Sequence, residues 1–179
     1  YALNKLADFN AKILENQMRG MLLKIKGNEI WTQMLGEFNA YNLLAVFATS
    51  IILGLDELST LKKISQLEGV PGRFQTFYTQ NNIMIIIDYA HTPDALKNIL
   101  SSIDKIRTKN ENLLTIIGCG GDRDKKKRPK IGEVAAKFSS KVIFTSDNPR
   151  NEDPELIIEE MIRGVSPEDY KKTSIVIKR

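Results

Sequence analysis

The sequence predicts an α/β fold: a mostly parallel sheet flanked by helices, preceded by a smaller part with antiparallel character. Three observations carry this. From about residue 74 the apolar runs Ile83–Ile87, Leu113–Ile117, Val142–Phe144 and Ile175–Ile177 recur at roughly 30-residue spacing, with helical patterns near 93–106, 129–139 and 154–163 between them. Three of these runs stop abruptly in polar clusters, "DYAHTPD", "GCGGDRDKKKRP" and "SDNPR". Before Pro71-Gly72 the grammar differs, so that dipeptide marks the expected boundary between domains 1–72 and 73–179.

Within the first part, short apolar runs such as "AKILENQ" and "MLLKIKGNEIWTQML" alternate with polar breaks. Gly27-Asn28, between Leu22–Ile25 and Ile30-Trp31, reads as a hairpin turn. Asn39 then precedes "AYNLLAVFATSIILG", whose apolar residues recur at helical spacing and end at Gly54, a favoured residue just past a helix. A shorter helix is expected around Asp56 to Gln66. In the second part, Thr92-Pro93 reads as an N-cap followed by a proline in the first helical position.

Composition narrows the classes. A chain of 179 residues that is 42% hydrophobic can bury a core as one domain or one and a half. Lys and Arg number 26 against 22 Asp and Glu, a net charge of +4, which is a weak pointer to an anionic partner. The single cysteine, Cys119, excludes an internal disulfide and fits a reducing cytoplasm. No run approaches the roughly 18 apolar residues of a membrane span, so a membrane is not an expected partner; many lysines sit on solvated helix faces, so nucleic acid is not expected either. The chain begins with Tyr1 and stops at "TSIVIKR" directly after an apolar run, which reads as a fragment of a longer protein.

Ligands of open α/β sheets lie beyond the carboxyl ends of the strands, so each cluster is weighed as a site. Thr92-Pro93-Asp94 is accounted for as a helix start, whereas Asp88 and His91 are not needed for it. Gly118–Gly121 lacks both the Lys-Ser/Thr ending of a P-loop and the Gly-x-Gly-x-x-Gly spacing, and reads by itself as a flexible turn. Lys125–Arg128 reads as a solvated run, since no aromatic residue interleaves it. Cys119 reads as a small apolar filler. Asp147-Asn148-Pro149 makes a turn by itself, leaving Arg150 to be explained. Taken together, Arg123 from one loop with Asn148 and Arg150 from the next would converge above one sheet edge. Such donors suit a bidentately held carboxylate, with Asp or Glu nearby to accept from an ammonium group, as an amino acid requires.

"GEFNAYNLLA", "VPGRF", "DYAHTPDAL", "GCGGDRDKKKRP" and "DNPR", in this order, closely resemble the Mur ligase family, in the branch that adds the third residue of the peptidoglycan stem peptide. The resemblance implies a sugar-nucleotide domain, a central ATPase and a C-terminal Rossmann-like domain. Residues 1–72 would be the end of the α/β ATPase domain, with its small antiparallel sheet, and 73–179 most of the C-terminal one. A P-loop, magnesium-holding residues and a carbamylated lysine would lie upstream and a Gly-Lys-Gly-His-Glu segment downstream, so this chain alone is expected to be inactive.

ATP and Mg2+ are the implied cofactors. UDP-N-acetylmuramoyl-L-alanyl-D-glutamate and meso-diaminopimelate are the implied substrates. Carried over, Asn39 matches the residue near adenine, Arg73 the one reaching the phosphates as the catalytic cation, Asp88 the ribose ligand and His91 a residue lining the nucleotide. Asn39 as an N-cap and Arg73 as a linker charge remain alternatives. Arg123, Asp147, Asn148 and Arg150 match the binding set of the incoming amino acid, and the "DNPR" form resembles that which selects meso-diaminopimelate over lysine. The implied reaction forms an acyl phosphate that the amino-acid amine then attacks. Rivals are a lysine-adding ligase, a folylpolyglutamate synthase-like ligase, and a basic nucleotide- or nucleic-acid-binding module.

Overall fold

The computed structural model describes residues 1–108 and 110–177. Lys109, Lys178 and Arg179, inside the expected 73–179 domain, lie outside the described residues. The chain forms two compact units, Tyr1–Tyr89 and Ala90–Arg179.

In the first unit, β1 (Ala2–Leu3), β2 (Asn10–Gln17), β3 (Gly20–Ile25) and β4 (Asn28–Thr32) form a four-stranded sheet in that order. β1 runs parallel to β2, and the other pairings are antiparallel. The β3–β4 turn sits one residue earlier than expected: Ile25 pairs with Asn28, leaving Lys26 (φ 46°) and Gly27 (φ 86°) as the turn. Positive φ at both central residues matches the twist of a two-residue hairpin, and glycine adopts it without steric cost.

Alternation in β3 places Met21, Leu23 and Ile25 on one fully buried face. There they meet Leu43, Leu44 and Phe47 of α1 (Glu37–Ile52) and Leu61 and Ile64 of α2 (Glu57–Ser65). Each such side chain removed from water contributes about 1.5–3 kcal/mol, before entropy is set against it. The α2 helix starts as expected, with Asp56 accepting from the Ser59 N–H at 2.8 Å.

The run Ile83–Ile87 departs from expectation. It is not the first strand of the parallel sheet: β6 (Met84–Ile87) pairs antiparallel with β5 (Gln75–Tyr78), a strand the periodicity did not reveal. The reason is local. "TQNN" closes a tight turn, with Asn82 at φ 57°, the Thr79 N–H donating to Ile83 O at 3.0 Å and the Ile83 N–H donating to Thr79 Oγ1 at 3.1 Å. A hairpin so closed costs far less loop entropy than a crossover.

The second unit is the expected α/β element. β7 (Leu114–Ile117), β8 (Lys141–Thr145) and β9 (Thr173–Val176) form a three-stranded parallel sheet in that order. Packed with it are α3 (Pro93–Ile106), α4 (Lys127–Phe138) and α5 (Pro154–Ile162), close to the expected spans. Val142 and Phe144 are fully buried, as are Ile131, Ala135 and Met161 to within a percent. α4 and α5 approach so closely that a Cβ on Gly132 would stand 2.0 Å from the Met161 carbonyl oxygen. No helix among the described residues is long and apolar enough to cross a membrane.

Candidate functional site

The β7 and β8 strands end side by side, with Ile117 level with Phe144, so the loops that follow emerge at one edge of the sheet. These loops are packed together. The Gly121 N–H donates to the Asn148 carbonyl at 2.8 Å, and the Arg150 guanidinium donates to the Gly121 carbonyl. Glycine is required for this approach: a Cβ would stand 1.8 Å from Pro149 O at Gly121, and 2.5 Å from Thr145 O at Gly118. The glycine run is therefore a close-contact surface rather than a flexible turn.

At Gly120 a Cβ would lie 3.1 Å from Arg150 Nη1, 3.6 Å from Asn148 O and 3.9 Å from Arg123 Cγ. Arg150 Nη1, the backbone carbonyl of Asn148 and the stem of Arg123 thus meet beside Gly120, and Asp147 Cβ would lie 3.0 Å from a Cβ on Gly118. Both arginines are exposed, and Arg150 holds φ 50°. The Arg150 guanidinium over glycine backbone, with the Arg123 side chain rising beside it, can hold an anionic group such as a carboxylate.

Sequence reading missed what lies beneath. Arg128, expected within a solvated run, is fully buried. Its Nη1 donates to Glu152 at 2.9 Å and Glu160 at 2.7 Å, and its Nη2 donates to Glu152 at 2.8 Å and to the Gly120 carbonyl at 3.3 Å. Glu152 also accepts from the Asp122 N–H at 2.6 Å and pairs with Lys125 at 2.9 Å. Hydrogen bonds from Arg128, then Lys125 and the Asp122 N–H, hold the Glu152 carboxyl well below the usual carboxylate range. Those to Glu152 chiefly raise Arg128 further.

No local signal separates Arg128 from Lys125, Lys126 and Lys127 at the same helix start. Lys127 is likewise engaged, donating to the His91 carbonyl at 3.1 Å. Cys119 is the buried filler expected, and burial pushes its thiol up to about 11.

The expected nucleotide set is distributed differently. Asn39 is not an N-cap: Gly36 occupies that position, and Asn39 lies buried in the first turn of α1. Its amide donates to Leu35 O at 2.7 Å and its Oδ1 accepts from Asn42 at 3.3 Å. Next to it, Phe38 meets Phe74 edge-on, centroids 5.4 Å apart. Phe74, at φ 46°, donates its N–H to the Asp88 carboxylate at 2.7 Å. Arg73 is exposed, its guanidinium 4.4 Å from the Tyr89 ring centroid. Asn39, Arg73 and Asp88 are thus linked through Phe38 and Phe74 in the first unit, while His91 opens the second and is exposed. The described residues contain no group of three or more His, Cys, Asp or Glu side chains that could hold a metal ion.

Residues 72–178 match the family model of the Mur ligase glutamate ligase domain. Over 179 residues the chain is 45% identical to the UDP-N-acetylmuramoyl-L-alanyl-D-glutamate–2,6-diaminopimelate ligase of Cytophaga hutchinsonii, covering 100% of this chain and 37% of that protein. A solved structure of a ligase of that name superposes with a TM-score of 0.65 at 32% identity, covering 98% of this chain and 36% of the other. The folylpolyglutamate synthase of Thermotoga maritima superposes with a TM-score of 0.76 at 22% identity, covering 99% and 41%, a likeness of fold alone. The chain spans little more than a third of the length of these relatives.

Proposed function

This chain belongs to the Mur ligase family, and on that premise we propose that it is the amino-acid-binding part of a cytoplasmic ligase joining meso-diaminopimelate to UDP-N-acetylmuramoyl-L-alanyl-D-glutamate. Residues 1–72 are then the end of the central ATPase domain and 73–179 the amino-acid-binding domain. The observation that carries the reading is the meeting of the Arg150 guanidinium, the Arg123 stem and the Asn148 backbone beside Gly120, where two strand exits meet. The 45% identity to a ligase named for diaminopimelate, along the whole chain, supports it. The nucleic-acid alternative loses ground, because Arg128 and Lys125 are engaged with Glu152 and Lys127 with His91.

In this reading the chain's residues divide the work. Arg150 and Arg123 take the far carboxylate of meso-diaminopimelate, which lysine lacks, and Asp147 and Asn148 orient that end of the ligand. The ligand's amine is thereby presented to an acyl phosphate on the acceptor, and its attack forms the amide as phosphate leaves. ATP, when bound, supplies the phosphoryl group. By the family resemblance Arg73 would offer the phosphates a preorganised positive charge, Asp88 would accept from the ribose, and Asn39 would border the base.

The test is turnover in the full-length ligase. A bidentate Arg–carboxylate contact is worth roughly 2–4 kcal/mol, so Arg150→Ala should lower meso-diaminopimelate efficiency about thirty- to a thousandfold and leave lysine use little changed. A wild type that prefers lysine, or an equal loss with both amino acids, would overturn the assignment of Arg150 as selector.

A further inference from the structure

We infer that Glu152, gripped by the buried Arg128, is a positioning residue that latches the two arginine-bearing loops together and so sets the spacing of Arg123 and Arg150. The inference rests on the reading of that pair as the amino-acid site.

The geometry singles Glu152 out. It stands two residues after Arg150, and its Oε1 accepts the N–H of Asp122, the residue before Arg123, at 2.6 Å. One carboxylate therefore touches the backbone at the root of one arginine from the chain that carries the other. Asn151 repeats the link from its own side, donating to Asp122 Oδ2 at 2.8 Å. Both roots are in a costly conformation, Asp122 and Arg150 each at φ 50°. Non-glycine residues persist there only when their surroundings over-determine them.

Arg128 supplies that determination. It grips Glu152 through both terminal nitrogens, takes hold of the Gly120 carbonyl, and is itself anchored to Glu160 on α5. It can reach Glu160 because glycines let the helices close: a Cβ on Gly164 would stand 1.8 Å from Pro129 O, next to Arg128 in sequence. A bidentate guanidinium–carboxylate pair away from water is rigid as well as strong. The negative Glu152 also pairs with Lys125 at 2.9 Å, neutralising one of the cations at this edge.

Steady-state kinetics in the full-length ligase tests this, with meso-diaminopimelate varied at saturating ATP and UDP-sugar. Glu152→Gln keeps the shape but removes the charge that Arg128 grips. It should raise the KM for meso-diaminopimelate about tenfold or more and hold kcat and the ATP KM within about twofold, as expected for a residue acting on ligand placement. In an Arg150→Ala background the same change should add less than about twofold, because the two act on one contact.

A folded Glu152→Gln protein with unchanged meso-diaminopimelate KM overturns the latch. So does an equal loss in both backgrounds, or a parallel rise in the ATP KM, since general loosening would produce either. Should Glu152→Gln fail to fold, the surface change Asn151→Ala carries the test. It should raise the same KM about threefold and sub-additively with Arg150→Ala, and an additive or absent effect overturns the latch. If Arg150→Ala itself leaves the KM unchanged, the amino-acid site falls and the latch with it. If Arg150→Ala raises the KM and neither Glu152→Gln nor Asn151→Ala does, the latch alone falls.

Discussion

Arg128 and Arg73 carry the same guanidinium in opposite circumstances. In the second unit Arg128 is wholly buried, held by Glu152, Glu160 and a backbone carbonyl. In the first unit Arg73 is exposed and rests on the Tyr89 ring, beside a backbone secured by the Asp88–Phe74 hydrogen bond. A guanidinium whose donors are taken up internally works on the fold. One that faces water leaves its donors open to solvent or to a ligand. The contrast teaches that charge in a motif does not reveal its task, and that burial and partners do.

The comparison breaks most readily at Arg128. Removing one partner of a buried ion pair leaves uncompensated charge, and because Glu152 and Glu160 can partly rehydrate, about 3 kcal/mol is expected for Arg128→Met. For a unit of this size that lowers Tm by roughly 12–24 °C. Arg73→Ala should change stability by less than about 0.5 kcal/mol. Thermal unfolding followed by circular dichroism checks both, and equal losses would dissolve the distinction.

Arg73→Ala sharpens the other side. In the full-length ligase it should lower turnover about a hundredfold with little change in the ATP KM, since a preorganised charge of this kind is worth about 2.7 kcal/mol in the transition state. Unchanged turnover with weaker ATP binding would remove Arg73 from that role.

The smallest effect is the acid response of the latch. Glu152 has its carboxyl depressed in the folded state, below the ordinary value of 4.5. Its contribution is fully present above that value and is lost as pH falls below it, toward the folded-state value. Asp169, lowered chiefly by its hydrogen bond to Lys172, adds in the same direction. Urea unfolding between pH 6 and 3, a range set by these directions, should show stability falling on the acid side. Arg128→Met should flatten that fall, because the hydrogen bonds that depress Glu152 come first from Arg128.

Much of the second unit was legible in the chain because its signals are local. Thr92-Pro93 is the start signal for α3, and Thr92 caps it by accepting from the Ala95 N–H, as Asp153 caps α5 by accepting from the Glu155 N–H. The alternation of apolar runs and helices set the parallel order of β7, β8 and β9. The β5 strand was not legible, because "QTFY" shows no clear alternation and declares itself only by pairing with β6. Asn39 misled for a related reason: as a polar residue before an apolar helix it fits an N-cap, yet the helix begins two residues earlier at Glu37.

By itself the sequence determined the class of the fold, the starts of α2 and α3, and which strand exits carry Arg123, Asp147, Asn148 and Arg150, because these follow from short-range periodicity and capping. Only the tertiary structure decided that Gly120 and Gly121 are contact surfaces and that Arg128 is buried. It alone paired Glu152 with a backbone N–H 30 residues away. Those outcomes depend on how closely two loops approach, a distance that no local pattern encodes and that packing imposes on both at once.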